Sequence, residues 1–181
     1  MKAGVKPQGR EGPGTALHRR LKGARRIAII GVGDEISPVD CPGILAARRI
    51  GKQHLPGVKV FIAGMVPESM TGPVRKFRPD HVLFLDAAEM RAPPGSIRII
   101  RPSRIEANLV STHVLPLTVL MDFIAKDTGA KVTLLGIQPV IPGESTGQGI
   151  FAKEILDRNL AEVLRALVAI ISGSQTYPGL W

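Results

Sequence analysis

The chain has a single cysteine, Cys41, among its 181 residues. One thiol cannot form an intramolecular disulfide and cannot build a thiolate metal cluster. The lack of a disulfide framework fits a reducing, intracellular setting. Aromatic residues are scarce at 4%, whereas Val, Ile, Leu and Ala are plentiful. That balance suits a layered α/β protein whose central strands are covered on both faces. No apolar run approaches the roughly 18–20 residues that a membrane-spanning helix needs. The basic N-terminus lacks the apolar stretch of a secretory signal. A soluble, cytoplasmic protein without a membrane partner is expected.

The net charge is +9, but most of the chain has little excess of either sign. Residues 1–26 carry eight Lys/Arg and one acid, and residues 27–181 carry sixteen Lys/Arg and fourteen acids. The basicity therefore sits mainly in the leader. A nucleic-acid interface needs a basic face on the folded body, so no nucleic-acid partner is expected. A basic-tail binder would betray itself by strong salt dependence.

The length fits one domain with a sizeable core. Residues 1–24 read as a basic, partly disordered leader, because residues 1–14 hold four Gly and two Pro among polar residues. Within it, Thr15 to Ala24 reads as a short helix with Thr15 as its N-cap. Residues 25–171 alternate strand and helix signals. Arg26 to Gly31, Val58 to Ala63, His81 to Leu85 and Lys131 to Ile137 are buried-strand runs, and Ser96 to Ile100 is a short strand suited to a sheet edge. Pro42 fits a first helical turn, with Ile44, Ala47 and Ile50 on the inner face of that helix, which ends over Gly51 to Gly57. Further helices are expected from Pro67 to about Phe77, from Pro116 to Gly129, and from Gln148 to Ile171. In the helix after Pro116, Leu120 with Ile124 and Val119 with Phe123 form an apolar stripe. Residues 172–181 read as an extended tail. Together these predict a three-layer α/β/α fold around a central, mostly parallel sheet of about five strands.

Gly31-Val32-Gly33 follows the first strand like the opening of a dinucleotide fingerprint. The third glycine is missing, since position 36 is Ile36, and the second strand ends in Ala63-Gly64 with no acid for a ribose. A tight turn that lets the next loop lie over the strand ends is the better use of these glycines.

Three separate stretches each offer one metal ligand at the end of an element: Asp40, Asp86 and His113. An α/β fold gathers the C-terminal ends of its parallel strands at one edge. Two carboxylates and one imidazole meeting there would suit a borderline divalent ion. Taken singly, each residue has a plainer use. Asp40 reads as an N-cap, Asp86 as an acid closing a strand, and His113 as a surface or capping residue. Cys41, at a helix start, reads either as a small buried residue or as a nucleophile partnered by His113.

The motifs carry a resemblance. Gly31-Val32-Gly33 with Asp40 and Gly43, Pro67-Glu68, Leu85-Asp86-Ala87, Pro94-Gly95-Ser96-Ile97-Arg98-Ile99-Ile100, Ser111-Thr112-His113-Val114-Leu115-Pro116-Leu117 and Leu135-Gly136-Ile137-Gln138-Pro139 occur in colinear order. The chain resembles the [NiFe]-hydrogenase maturation endopeptidases, in particular the hydrogenase 3 (formate hydrogenlyase) branch, over about Arg26 to Ile170. The resemblance implies a peptidase domain over 25–171 that removes a C-terminal extension from a hydrogenase large-subunit precursor once nickel is inserted. It implies Asp40, Asp86 and His113 as the nickel-recognition residues, with Asp40 and Asp86 also catalytic, in an aspartic-type or metal-dependent endopeptidase. The nickel would come with the substrate, and another divalent ion could fill the site in isolated protein. The chain departs from the family at Asp34, Val39, Ile62 and Cys41-Pro42, and Asp34 and Glu35 make poor ligands. Two other readings use the same residues: a non-enzymatic nickel-dependent chaperone of the large subunit, and a cysteine peptidase using Cys41.

Overall fold

Ile27-Ala28-Ile29-Ile30-Gly31-Val32 is buried along its whole length and forms β1 (Ile27–Val32). An unbroken apolar run is what a central parallel strand requires, because helices cover both of its faces. β2 (Val58–Gly64) and β3 (His81–Ala87) flank it, both parallel to it. β5 (Lys131–Ile137) extends the parallel run beside β3. β4 (Ile97–Ile100) closes the edge, antiparallel to β5. The order is β2-β1-β3-β5-β4, so the five-stranded, mostly parallel sheet and its short edge strand agree with the sequence expectation. The computed structural model describes residues 11–100, 117–140 and 146–174, with side chains in the last segment described from residue 152 onward.

Strand alternation divides the core in two. Ile27, Ile29, Leu83, Leu85, Leu135 and Ile137 pack with α1 (Pro13–Leu21), α2 (Pro42–Gly51) and α5 (Thr146–Ile171). Ala28, Ile30, Val32, Val82, Phe84 and Leu134 pack with α3 (Thr71–Phe77) and α4 (Leu117–Thr128). The result is the three-layer α/β/α arrangement. A 3₁₀ turn, Pro67–Met70, precedes α3.

Three local expectations change. The N-cap of α1 is Gly12, not Thr15. The N–H of Gly14 in the first turn donates to Glu162 Oε2 of α5 at 3.3 Å, so this helix start is capped from another element rather than from its own sequence. Leu17 and Leu21 are fully buried against α5, which makes the helical half of the 1–24 leader part of the folded body. In α4, Leu117, Leu120, Met121 and Ile124 face the core, while Val119 and Phe123 are half exposed. The apolar stripe of that helix is therefore narrower than its sequence pattern suggested. Ser174 N–H still bonds back to the Ala169 carbonyl, and residues 175–181 of the expected tail lie outside the described residues.

Candidate active site

β1 lies between β2 and β3, and this arrangement creates the site. The chain leaves β1 through α2 to reach β2 on one side, and leaves β3 towards β5 and β4 on the other. Connections that diverge from adjacent parallel strands leave a crevice at their C-terminal ends. The loop after β1, residues 33–41, and the end of β3, with Asp86, both lie at this crevice.

Glycines set how closely α2 approaches. A Cβ on Gly31 would lie 2.6 Å from the Cβ of Ala47, and one on Gly43 would overlap the carbonyl oxygens of Leu85 and Val32. The first turn of α2 is thereby wedged against the ends of β1 and β3 together. Gly33 has φ +129°, and a Cβ there would run into the Asp40 carbonyl. The loop lies over the strand end, as the glycine pattern suggested, and its last acidic residue is held there.

Asp40 is not the N-cap of α2. That position is taken by Cys41, which makes no side-chain capping bond. Asp40 Oδ2 instead accepts the Asp34 N–H at 2.9 Å. The Asp40 N–H is directed at Ser37, 3.0 Å from its carbonyl oxygen and 3.3 Å from its hydroxyl. Asp34 Oδ1 accepts the Ile36 N–H at 3.1 Å, and Glu35 pairs with Arg48 of α2. These bonds tie Asp34 into the loop and Glu35 to α2.

Asp86 occupies the penultimate position of β3, in register with Gly136 of β5. It is 7% exposed. Alternation places it with Val82 and Phe84 on the face covered by α3 and α4. A carboxylate at the end of an otherwise apolar strand is costly to bury and must be supported by its surroundings. His113 lies outside the described residues. Among the described residues, no three His, Cys, Asp or Glu side chains form a group that could hold a metal ion. Asp40, in the loop after β1, and Asp86, near the end of β3, stand at the C-terminal ends of adjacent parallel strands.

The thiol of Cys41 is partly buried, and burial pushes its pKa up. The nearby carboxylates of Asp40 and Asp34 push it in the same direction against a lowering backbone hydrogen bond. Its Sγ lies 3.8 Å from the Pro38 carbonyl oxygen. A nucleophilic cysteine needs the opposite environment, one that favours the thiolate.

Gln138, in the Leu135–Pro139 motif, has no role that the sequence pattern assigns. It is buried immediately after β5. Its Oε1 accepts the Met90 N–H at 2.7 Å and the Ala92 N–H at 3.4 Å, and its Nε2 donates to Glu89 Oε2 at 2.9 Å. Its own N–H donates to the Ser96 carbonyl, and its carbonyl accepts the Gly95 N–H, both at 2.9 Å. One side chain therefore pins the loop that leaves Asp86. The sequence signal was a lone amide closing a buried apolar strand, a position that must find partners.

Residues 45–166 match the family model described as hydrogenase maturation protease. The chain belongs to the hydrogenase maturation protease family. The matched region contains Asp86, His113 and Gln138, and Asp40 stands just before it. A putative hydrogenase maturation protease of Methanocaldococcus jannaschii is 30% identical over 130 residues, covering 67% of this chain and 77% of the relative. The hydrogenase 3 maturation protease of Escherichia coli K12 is 37% identical over 113 residues, covering 62% and 72%. The crystal structure of the [NiFe] hydrogenase maturation protease HycI from Thermococcus kodakarensis superposes with a TM-score of 0.67 at 30% identity, over 82% of this chain and 98% of that one. This hydrogenase maturation protease thus shares both sequence and three-layer fold with the hydrogenase 3 type. Among the described residues no helix is long and apolar enough to cross a membrane.

Proposed function

We propose that this chain is the cytoplasmic endopeptidase that removes the C-terminal extension of a [NiFe]-hydrogenase large-subunit precursor after nickel insertion. One observation supports the reading: in a chain of this family, the Asp40 loop follows β1 and Asp86 stands near the end of β3, the strand parallel and adjacent to it. Asp40, Asp86 and His113 are the set that engages the nickel held by the substrate. Two carboxylates and an imidazole suit such a borderline ion. Docking through the metal aligns the peptide bond beyond it. A carboxylate of the pair then takes a proton from water as general base. The water oxygen adds to the scissile carbonyl carbon, the C–N bond breaks, and the released amine takes up a proton. A precursor without nickel offers no anchor, so cleavage reports that the metal has been inserted. The raised pKa of Cys41 counts against a thiol nucleophile.

The test is to incubate the protein with nickel-loaded and nickel-free precursor and read the intact masses. Loss of the C-terminal peptide from the loaded form only is expected. A loaded precursor that is bound but keeps its mass would replace this reading with that of a nickel-dependent chaperone.

A further inference from the structure

Four large apolar side chains stand exposed beside the crevice. Ile36 is 90% exposed, Met65 62%, Val66 52% and Val39 36%. Ile36 and Val39 belong to the loop after β1, and Met65 and Val66 follow β2 directly. The two loops leave the sheet side by side, since Val32 pairs with Gly64 and the Gly33 N–H donates to the Gly64 carbonyl at 3.1 Å. Asp40 lies in the same loop as Ile36 and Val39. The large cavities lined by Arg26 and Arg78, by His81 and Thr133, and by His54 and Lys59 lie elsewhere, so they do not explain this exposure. Contiguous exposed apolar surface marks a binding face.

The charges on these loops are of one sign. Residues 33–41 and 64–70 contain Asp34, Glu35, Asp40 and Glu68 and no Lys or Arg. Arg48 of α2 reaches Glu35 from outside these loops. A partner that covers Ile36 and Met65 must bring aliphatic groups, and complementarity asks it to bring Lys or Arg beside them.

We infer that Ile36, Val39, Met65 and Val66 form the docking face for the large-subunit precursor, and that they receive a segment in which aliphatic side chains flank Lys or Arg. The inference rests on the function proposed above and adds the chemistry of the contact. The carboxylates of the same loops steer the basic groups, and the apolar side chains supply the buried contact.

The experiment measures Kd for purified nickel-loaded precursor and, separately, its loss of mass. The proteins are wild type, Ile36→Ser/Met65→Ser and Glu68→Gln. Both altered apolar residues are solvent-facing, so the double variant should melt with wild type. Its Kd should rise by about tenfold or more, the effect of losing apolar anchors from a contact, while the rate at saturating substrate stays near that of wild type. Wild-type binding should weaken as salt rises, and Glu68→Gln should show a shallower salt dependence. A double variant that binds and cleaves like wild type overturns the docking face and leaves the protease reading standing. A wild-type protein that neither binds nor cleaves the loaded precursor overturns both.

Discussion

Gly43 and Asp86 show two ways in which one residue shapes this site. Gly43 acts by having no side chain, because a methyl group there would collide with the ends of β1 and β3. Gly43→Ala should lift the first turn of α2, lower stability by about 1–3 kcal/mol as overpacking does, and slow processing by shifting the Asp40 loop. Thermal melting and the cleavage rate check both parts. Asp86 acts through its carboxylate. Asp86→Asn keeps the shape and removes the charge, so it should fold and fail to process nickel-loaded precursor. His113→Ala should fail likewise. Cys41→Ala should cleave near the wild-type rate, since burial and neighbouring carboxylates hold its thiol protonated. Intact mass of the precursor decides each case. Normal cleavage by Asp86→Asn and His113→Ala with an inactive Cys41→Ala would reverse the assignment.

His81 sits at the other end of β3 and bears on stability rather than chemistry. It is buried, with Nε2 2.9 Å from the Thr133 hydroxyl. Burial, aided by Lys131 and Arg20, pushes its pKa from 6.5 to about 4. The native state thus resists protonation that the unfolded chain accepts. The stability from keeping this ring neutral is complete above pH 6.5 and is lost as pH falls towards 4. The loss should total about 3 kcal/mol. Denaturant melts of wild type and His81→Gln across that window should diverge, with the wild type showing the steeper decline towards acid.

Among whole elements, α1 departs most from its sequence appearance. Its Gly12-Pro13-Gly14 start and basic composition read as part of a leader, yet Leu17 and Leu21 are fully buried beside Leu160, Val163 and Leu167 of α5. Leu17→Ala should cost about 2–5 kcal/mol, as large-to-small core changes do. Deleting residues 1–24 should expose that face of α5 and lower the melting temperature markedly. A deletion that melts like the full chain would show that α1 adds nothing to the core. Glu162, which accepts the Gly14 N–H, and Asp157, paired with Arg49 of α2, give α5 polar contacts to both helices on its side of the sheet.

Across the whole molecule, opposite ends of the sheet differ in character. Arg26, Arg75, Lys76 and Arg78 line an open cleft of about 680 Å³ near the N-terminal ends of β1 and β3. Arg26 is fixed there by its contact with the Phe77 ring, 4.6 Å from guanidinium to centroid, and by the Phe77 and Arg78 carbonyls. The acidic and apolar loops occupy the C-terminal ends. If the substrate contact is confined to that second end, Lys76→Gln should leave precursor binding and cleavage unchanged. A weakened Kd would extend the contact to the basic end.

The sequence alone determined the layers, because each depends on local pattern. Ile27 to Val32 is a short, uniformly apolar run rich in β-branched residues, which suits a strand covered on both sides, and strand–helix alternation favours parallel crossovers, with β4, antiparallel to β5, as the exception. It also marked Asp40, Asp86 and His113, since acids and a histidine at element ends stand out against apolar runs. Tertiary structure decided what those positions meet. Gly43 against the Leu85 and Val32 carbonyls, Glu162 capping α1, and Gln138 holding residues 89–92 all join residues far apart in the chain. Neither composition nor periodicity encodes such pairings, because they follow from strand order and from the closeness of packing that a glycine permits. For the same reason Asp40 read as a helix cap in sequence and became a loop anchor in the fold. Its carboxylate had a nearer donor in the Asp34 N–H, supplied only once the loop had folded back over β1.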